Sequence, residues 1–215
     1  NINLNFQEVL TCIRLSERVL VMKTFLIVVV LIFSLQAYTK ADDISEFEIE
    51  GLSVGDSLLN FASEQEIKKA KAKEQFPNDK YIIYRYDLIK SPTQYDWISV
   101  TAKKNDLKYI VTNIAGAIDY EELEECLLLK KDIIASIENL FKSVQKQEDK
   151  YPSSQDKTGK SIVYGTQYYF KPYPSNEAIS VNCYHMSDVS NVRKSLKVAV
   201  NVEEYAYFLI NEAYK

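Results

Sequence analysis

The chain has 215 residues, 47% of them hydrophobic, with a formal net charge of −4. Residues 1–41 carry four basic and two acidic side chains, so the remaining 174 residues stand at −6. That balance excludes the basic footprint of a nucleic-acid-binding domain and disfavours an anionic lipid surface.

Residues 22–41 (MKTFLIVVVLIFSLQAYTKA) have the pattern of a secretory signal peptide. Met22 and Lys23 begin it, an apolar run follows from Phe25, and Thr39-Lys40-Ala41 supplies a small-x-small cleavage site. A membrane-spanning helix needs about 20 apolar residues. Here Ser34 and Gln36 interrupt the run and Asp42-Asp43 follow the cleavage site, so a signal is expected rather than an anchor. Residues 1–21 read as upstream sequence translated by mistake, or as an extended n-region using Arg14 and Arg18. Neither reading gives Cys12 a role. Residues 42–215 then form a single mature domain, long enough for a sizeable core.

Ile44, Phe47 and Ile49 suggest a short strand over 44–50. Residues 51–57 (GLSVGDS) form a turn feeding a helix over Ser57–Phe61, with Asp56 as N-cap. Ser63 with Glu66 is a capping box for a second helix reaching about Lys73. Strands are expected over 80–89, 94–103 (Ile98, Val100 and Ala102 on one face) and 107–118, the last two joined at Lys104-Asn105-Asp106. Asp119 should cap a long helix over about 120–144. Its apolar stripe is Leu123, Cys126, Leu127, Ile133, Ile134, Ile137, Leu140, Phe141 and Val144. Glu121, Glu122, Glu124 and Glu125 sit where the helix dipole favours acids, which makes them helix design rather than a paired-carboxylate site.

Residues 145–160 are polar and read as a solvated loop. Strands return at 161–170, 177–186 and 194–202, the last alternating strictly through Leu196, Val198, Val200 and Val202. A final helix from about Glu203 should bury Tyr205, Ala206, Leu209, Ile210 and Ala213. Cys126 and Cys183 are an even pair in an exported chain, which reads as a disulfide, with two buried free thiols as the alternative. Cys126 lies on the long helix's apolar stripe, and Cys183 shares a strand face with Ile179 and Val181. Both sulfurs therefore point into one helix–sheet interface.

Gly51-x-Ser53-x-Gly55 matches the nucleophile elbow of α/β-hydrolases, with His185 as the one available base. The antiparallel hairpins around it and the missing oxyanion motif favour a plain turn using two glycines. Gly159-Lys160-Ser161 resembles the end of a P-loop, but Ser154 stands where the first glycine is required and no helix follows. Cys183-x-His185 is short of the three or four ligands of a zinc site, and no EF-hand or HExxH pattern occurs. No cofactor or metal is expected. Of 16 tyrosines, all but Tyr38 follow the signal. Tyr164, Tyr168, Tyr169 and Tyr173 crowd one strand end, where tyrosine serves either a binding surface or a half-buried sheet.

The segments ADDISEFEIEGLSVGDSLL (41–59), DKTGKS (156–161), VNCYH (181–185), LKVAVN (196–201) and NEAY (211–214) resemble a family of small exported proteins of unknown function from free-living marine bacteria. The resemblance covers nearly all of residues 22–215 and implies export, one domain and the cysteine pair. It brings no catalytic residue. An Asp-Trp pair often follows the Cys-Tyr in that family, whereas His185-Met186 stands here, which weakens a functional role for His185. The reading is an α+β domain: a mainly antiparallel sheet of about six strands, one long helix on a face and shorter helices near both ends. Its leading function is a non-enzymatic periplasmic or secreted protein binding an unknown protein or small-molecule ligand, with no membrane span after signal cleavage. The rivals are a serine hydrolase using Ser53 and His185, and a passive envelope component.

Overall fold

The computed structural model describes residues 42–171, 176–187 and 192–215. The expected signal over 22–41, the segment 1–21 and Tyr173 lie outside the described residues. No helix among the described residues is long and apolar enough to cross a membrane.

Seven antiparallel strands form one sheet: β1 (Tyr81–Arg85), β2 (Trp97–Lys103), β3 (Val111–Asp119), β4 (Gln145–Pro152), β5 (Ile162–Tyr169), β6 (Ala178–His185) and β7 (Ser195–Asn201). Their spatial order is β1-β2-β3-β7-β6-β5-β4. Two meanders therefore meet at the β3–β7 pair, from Asn113↔Asn201 to Asp119↔Ser195. Among the described residues, three helices accompany the sheet: α1 (Glu64–Lys69), α2 (Leu123–Leu140) and α3 (Glu203–Asn211).

The order dictates what α2 must do. It leaves β3 and delivers the chain to β4 at the opposite edge, four strand positions away, about 19 Å at ~4.8 Å per strand. Eighteen helical residues at 1.5 Å each span about 27 Å, enough to make that crossing. The helix accordingly lies over β6 and β7, with Cys126 and Ile137 fully buried. Cys126 is disulfide-bonded to Cys183 on β6. The N-terminal segment covers the other half of the same face, where Ile49, Leu52, Leu58 and Ile67 join Ile98, Val100, Ile114 and Val198 in one core. A smaller cluster of Tyr81, Tyr205, Phe208 and Ala213 docks α3 on the opposite face.

Several elements depart from expectation. Residues 145–152, read as loop, form the seventh strand, paired with β5 from Gln145↔Tyr169 to Pro152↔Ile162. Every residue of it is exposed, so no apolar alternation marks it; a charged edge strand resists pairing with other chains. Residues 44–50 form no strand. A 3₁₀ turn at Ile44–Glu46 is capped by Asp43, and Ile49 then pairs with Leu52 across Glu50-Gly51, both at positive φ. The helix expected at Ser57–Phe61 is a 3₁₀ turn at Leu58–Asn60 capped by Ser57, while Asp56 accepts from the Ser53 amide.

The Ser63–Glu66 capping box is present, but α1 stops at Lys69. Ala70 and Ala72 instead hydrogen-bond to Arg85 and Ile83, covering the outer edge of β1. Glu122, not Asp119, caps α2; Asp119 ends β3 and pairs with Arg193. Leu127 and Leu140 of the expected stripe are exposed, as is Ile210 of α3, where Phe208 is the residue fully buried.

Candidate binding face

Strand alternation divides the sheet into an apolar face under α2 and an open face of a different kind. On the open face, β2 presents Trp97, Ser99 and Thr101, and β3 presents Asn113, Ala115 and Ala117. Next to these, β7 presents Lys197, Ala199 and Asn201, and β6 presents Ser180, Asn182 and Tyr184. Three rows follow from the register. The first runs Ser99↔Ala115↔Ala199↔Ser180, small throughout. The second runs Trp97↔Ala117↔Lys197↔Asn182↔Gly165. The third runs Thr101↔Asn113↔Asn201↔Ala178↔Tyr169.

The third row is stitched by hydrogen bonds. Thr101 Oγ1 donates to Asn113 Oδ1 at 3.0 Å, and Asn113 Nδ2 donates to Asn201 Oδ1 at 2.7 Å. Helix α3 rises beside this row and contributes Tyr205 and Leu209 as a wall, with Phe76 and Tyr214 beyond. Burial pushes the Tyr205 phenol up to about 12. Between wall and rows lies a cavity of about 290 Å³, floored by Ala115, Ala199, Ser99 and Ser180. Among the described residues lining it, Lys197 is the one charged side chain.

Lys197 is half-buried and differs from the other cations of the fold in its contacts. Lys130 on α2 is buried but donates to the Tyr164 carbonyl at 2.9 Å. Arg85 pairs with Asp87 and Arg193 with Asp119. For Lys197, the printed contact is an aromatic one, its Nζ lying 6.0 Å from the centre of the Trp97 ring. Among the described residues, no carboxylate lies within ion-pair distance of it. Loss of water alone pushes its ammonium below the usual lysine range. The arrangement offers one unneutralised positive charge, several amide and hydroxyl groups and an aromatic wall, which suits reversible binding.

The residues singled out from the sequence are dispersed. Ser53 is buried and its hydroxyl donates to the Phe47 carbonyl at 3.2 Å. Positive φ falls at Glu50, Gly51 and Gly55, as a turn requires, and not at Ser53. His185 ends β6 on the helix-side face, its Nδ1 buried without a hydrogen-bond partner among the described residues. No hydrogen bond joins Ser53 to His185. Alternation also splits the tyrosines. Tyr168 is buried on the helix side and donates to Glu138 Oε1 at 3.0 Å; Tyr164, on the same side, carries the Lys150 ammonium 4.9 Å over its ring. Tyr169 lies on the open face, in the third row, and donates to Gln167.

The 156–161 segment forms a closed loop between β4 and β5. Asp156 accepts from Ser161 Oγ and N, Ser187 Oγ, and Thr158 Oγ1 and N. These donors hold its carboxyl well below the usual range, and both oxygens are committed. Gly159 supplies the left-handed residue that the turn needs, at φ +71°. Among the described residues, no group of three or more His, Cys, Asp and Glu side chains is placed to hold a metal.

The open face was not singled out from the sequence, though a trace of it is there. In SLKVAVN, the phase opposite to Leu196, Val198 and Val200 reads Lys197, Ala199, Asn201. A solvated face usually carries several long charged side chains, whereas here Lys197 stands with one small residue and one amide. The chain matches no family model, no curated protein and no solved structure.

Proposed function

We propose that this chain is an exported, non-enzymatic binding protein whose ligand occupies the open face of the sheet beside α3. The observation that carries the reading is the cavity floored by small side chains in which Lys197 has no acidic partner. Lys197 is half-buried, and a partly desolvated ammonium without an acidic partner carries a cost that an anionic ligand would offset. The Cys126–Cys183 bond supports export, because disulfides persist in oxidising compartments. Tyr169 extends the same face, whereas Tyr164 and Tyr168 serve packing on the other.

A thermal-shift screen of small metabolites tests the reading, run on the unaltered protein and on Ala199→Trp, which fills the cavity floor. Ligands should raise the melting temperature of the former and not of the latter. Hits that stabilise both proteins equally, or a screen without hits in any chemical class, would refute the assignment to this face.

A further inference from the structure

We infer that the ligand class of this cavity is a small organic monocarboxylate, its carboxylate held by Lys197 and its apolar body lying against Tyr205 and Leu209. This rests on the binding reading above and adds the ligand's charge and size.

The charge follows from the lining. Among the described residues, one ammonium and no acid face the space, so a single negative charge completes the pair and a second would be left uncompensated. No arginine lines the cavity, so the planar fork that grips phosphate or sulfate in two places is missing. A carboxylate takes a charge-assisted hydrogen bond from a lysine point charge and has its second oxygen free for the neighbouring Asn182 or Ser180. The size follows from the volume: about 290 Å³ is at the low end of ligand cavities, which admits one ring or a short aliphatic chain. The wall accounts for the apolar body. Tyr205 and Phe76 pack edge to face with ring centres 6.4 Å apart, held by the cluster that docks α3, so the surface is preformed.

Lys197 also lacks a structural task that would explain it. Its contact with Trp97 is a weak one at this distance, and among the described residues no carboxylate pairs with it. Substitution by an apolar side chain of similar length should therefore leave the empty protein as stable or more so, while removing the anion's partner.

Two-dimensional amide NMR titrations with benzoate, benzamide and inorganic phosphate test this on the unaltered protein. Benzoate should shift the amides of Lys197, Ala199 and Ser180. Benzamide, alike in shape but uncharged, should bind at least tenfold more weakly, and phosphate should leave those amides unmoved. Lys197→Met should weaken benzoate at least tenfold and keep an equal or higher melting temperature when empty. Benzamide binding as tightly as benzoate, phosphate binding in its place, or no shift with benzoate would overturn the carboxylate assignment without touching the Ala199→Trp screen. A Lys197→Met protein that melts well below the unaltered one would also overturn it, by giving Lys197 a structural role.

Discussion

Removing the Cys126–Cys183 bond should cost a substantial share of the margin by which this domain is folded. The bond closes a loop of 57 residues, which contains the rest of α2, β4, β5 and most of β6. On the chain-entropy argument such a loop contributes about 4 kcal/mol, by restricting the unfolded chain. A domain of this size is stable by roughly 5–15 kcal/mol in all. With a urea dependence of about 2 kcal/mol per molar, the Cys126→Ala/Cys183→Ala double variant should unfold about 2 M earlier. The single tryptophan, Trp97 on β2, reports unfolding by fluorescence, and circular dichroism follows α2 independently. Hydrogen exchange should show α2 loosened first, because its remaining anchors are the buried Ile137, the half-buried Leu123, Ile133 and Ile134, and polar contacts of Lys130 with Tyr164 and of Glu138 with Tyr168 and Lys146. A midpoint displaced by less than about 0.5 M would refute the reasoning. So would two alkylatable thiols in protein purified from its native compartment.

Gly116→Ala should destabilise by about 1–3 kcal/mol, since a methyl group there would lie 2.5 Å from the Tyr95 ring; an unchanged urea midpoint would show that the ring moves aside freely. Asp156 should govern acid sensitivity. Its folded carboxyl titrates below the ordinary 3.8, so its stabilising contribution is present above that value and is lost as pH falls below it toward the folded value. Unfolding midpoints from pH 6 to pH 2 should therefore fall more steeply for the unaltered protein than for Asp156→Asn, and parallel curves would contradict the loop's hydrogen-bond pattern. A fluorophosphonate probe should leave Ser53 unmodified, given that its hydroxyl is buried and bonded to Phe47; labelling at Ser53, abolished by His185→Ala, would revive the hydrolase.

Legibility followed burial. β2, β6 and β7 show apolar alternation because one face of each lies under α2 or the N-terminal segment, so period-2 patterns announced them. β4 has no buried face and hence no pattern; its strand state comes from its ladder with β5. Helix α2 starts three residues later than the sequence suggests because Asp119, by type the better cap, is held elsewhere. The β3–β7 pairing and the Arg193 contact keep Asp119 in the sheet. The elbow-like Gly51–Gly55 segment is legible as a turn, since positive φ is a local property that glycine reveals.

Local chemistry and periodicity, written in the residue order, determined the α+β class, the capping box at Ser63, the alternating strands and the face on which Cys126 and Cys183 meet. These depend on neighbours a few positions apart. The binding face depends on which strands lie side by side, and that was decided in three dimensions. Lys197 stands beside Asn182 and over Trp97 because β7 inserts between β3 and β6, joining two meanders that are separate along the chain. The helix that walls the cavity arrives there through the packing of Phe208 on Tyr81, two residues 127 positions apart. No short-range pattern encodes such a juxtaposition, because its energy comes from closing the sheet and burying one cluster of rings.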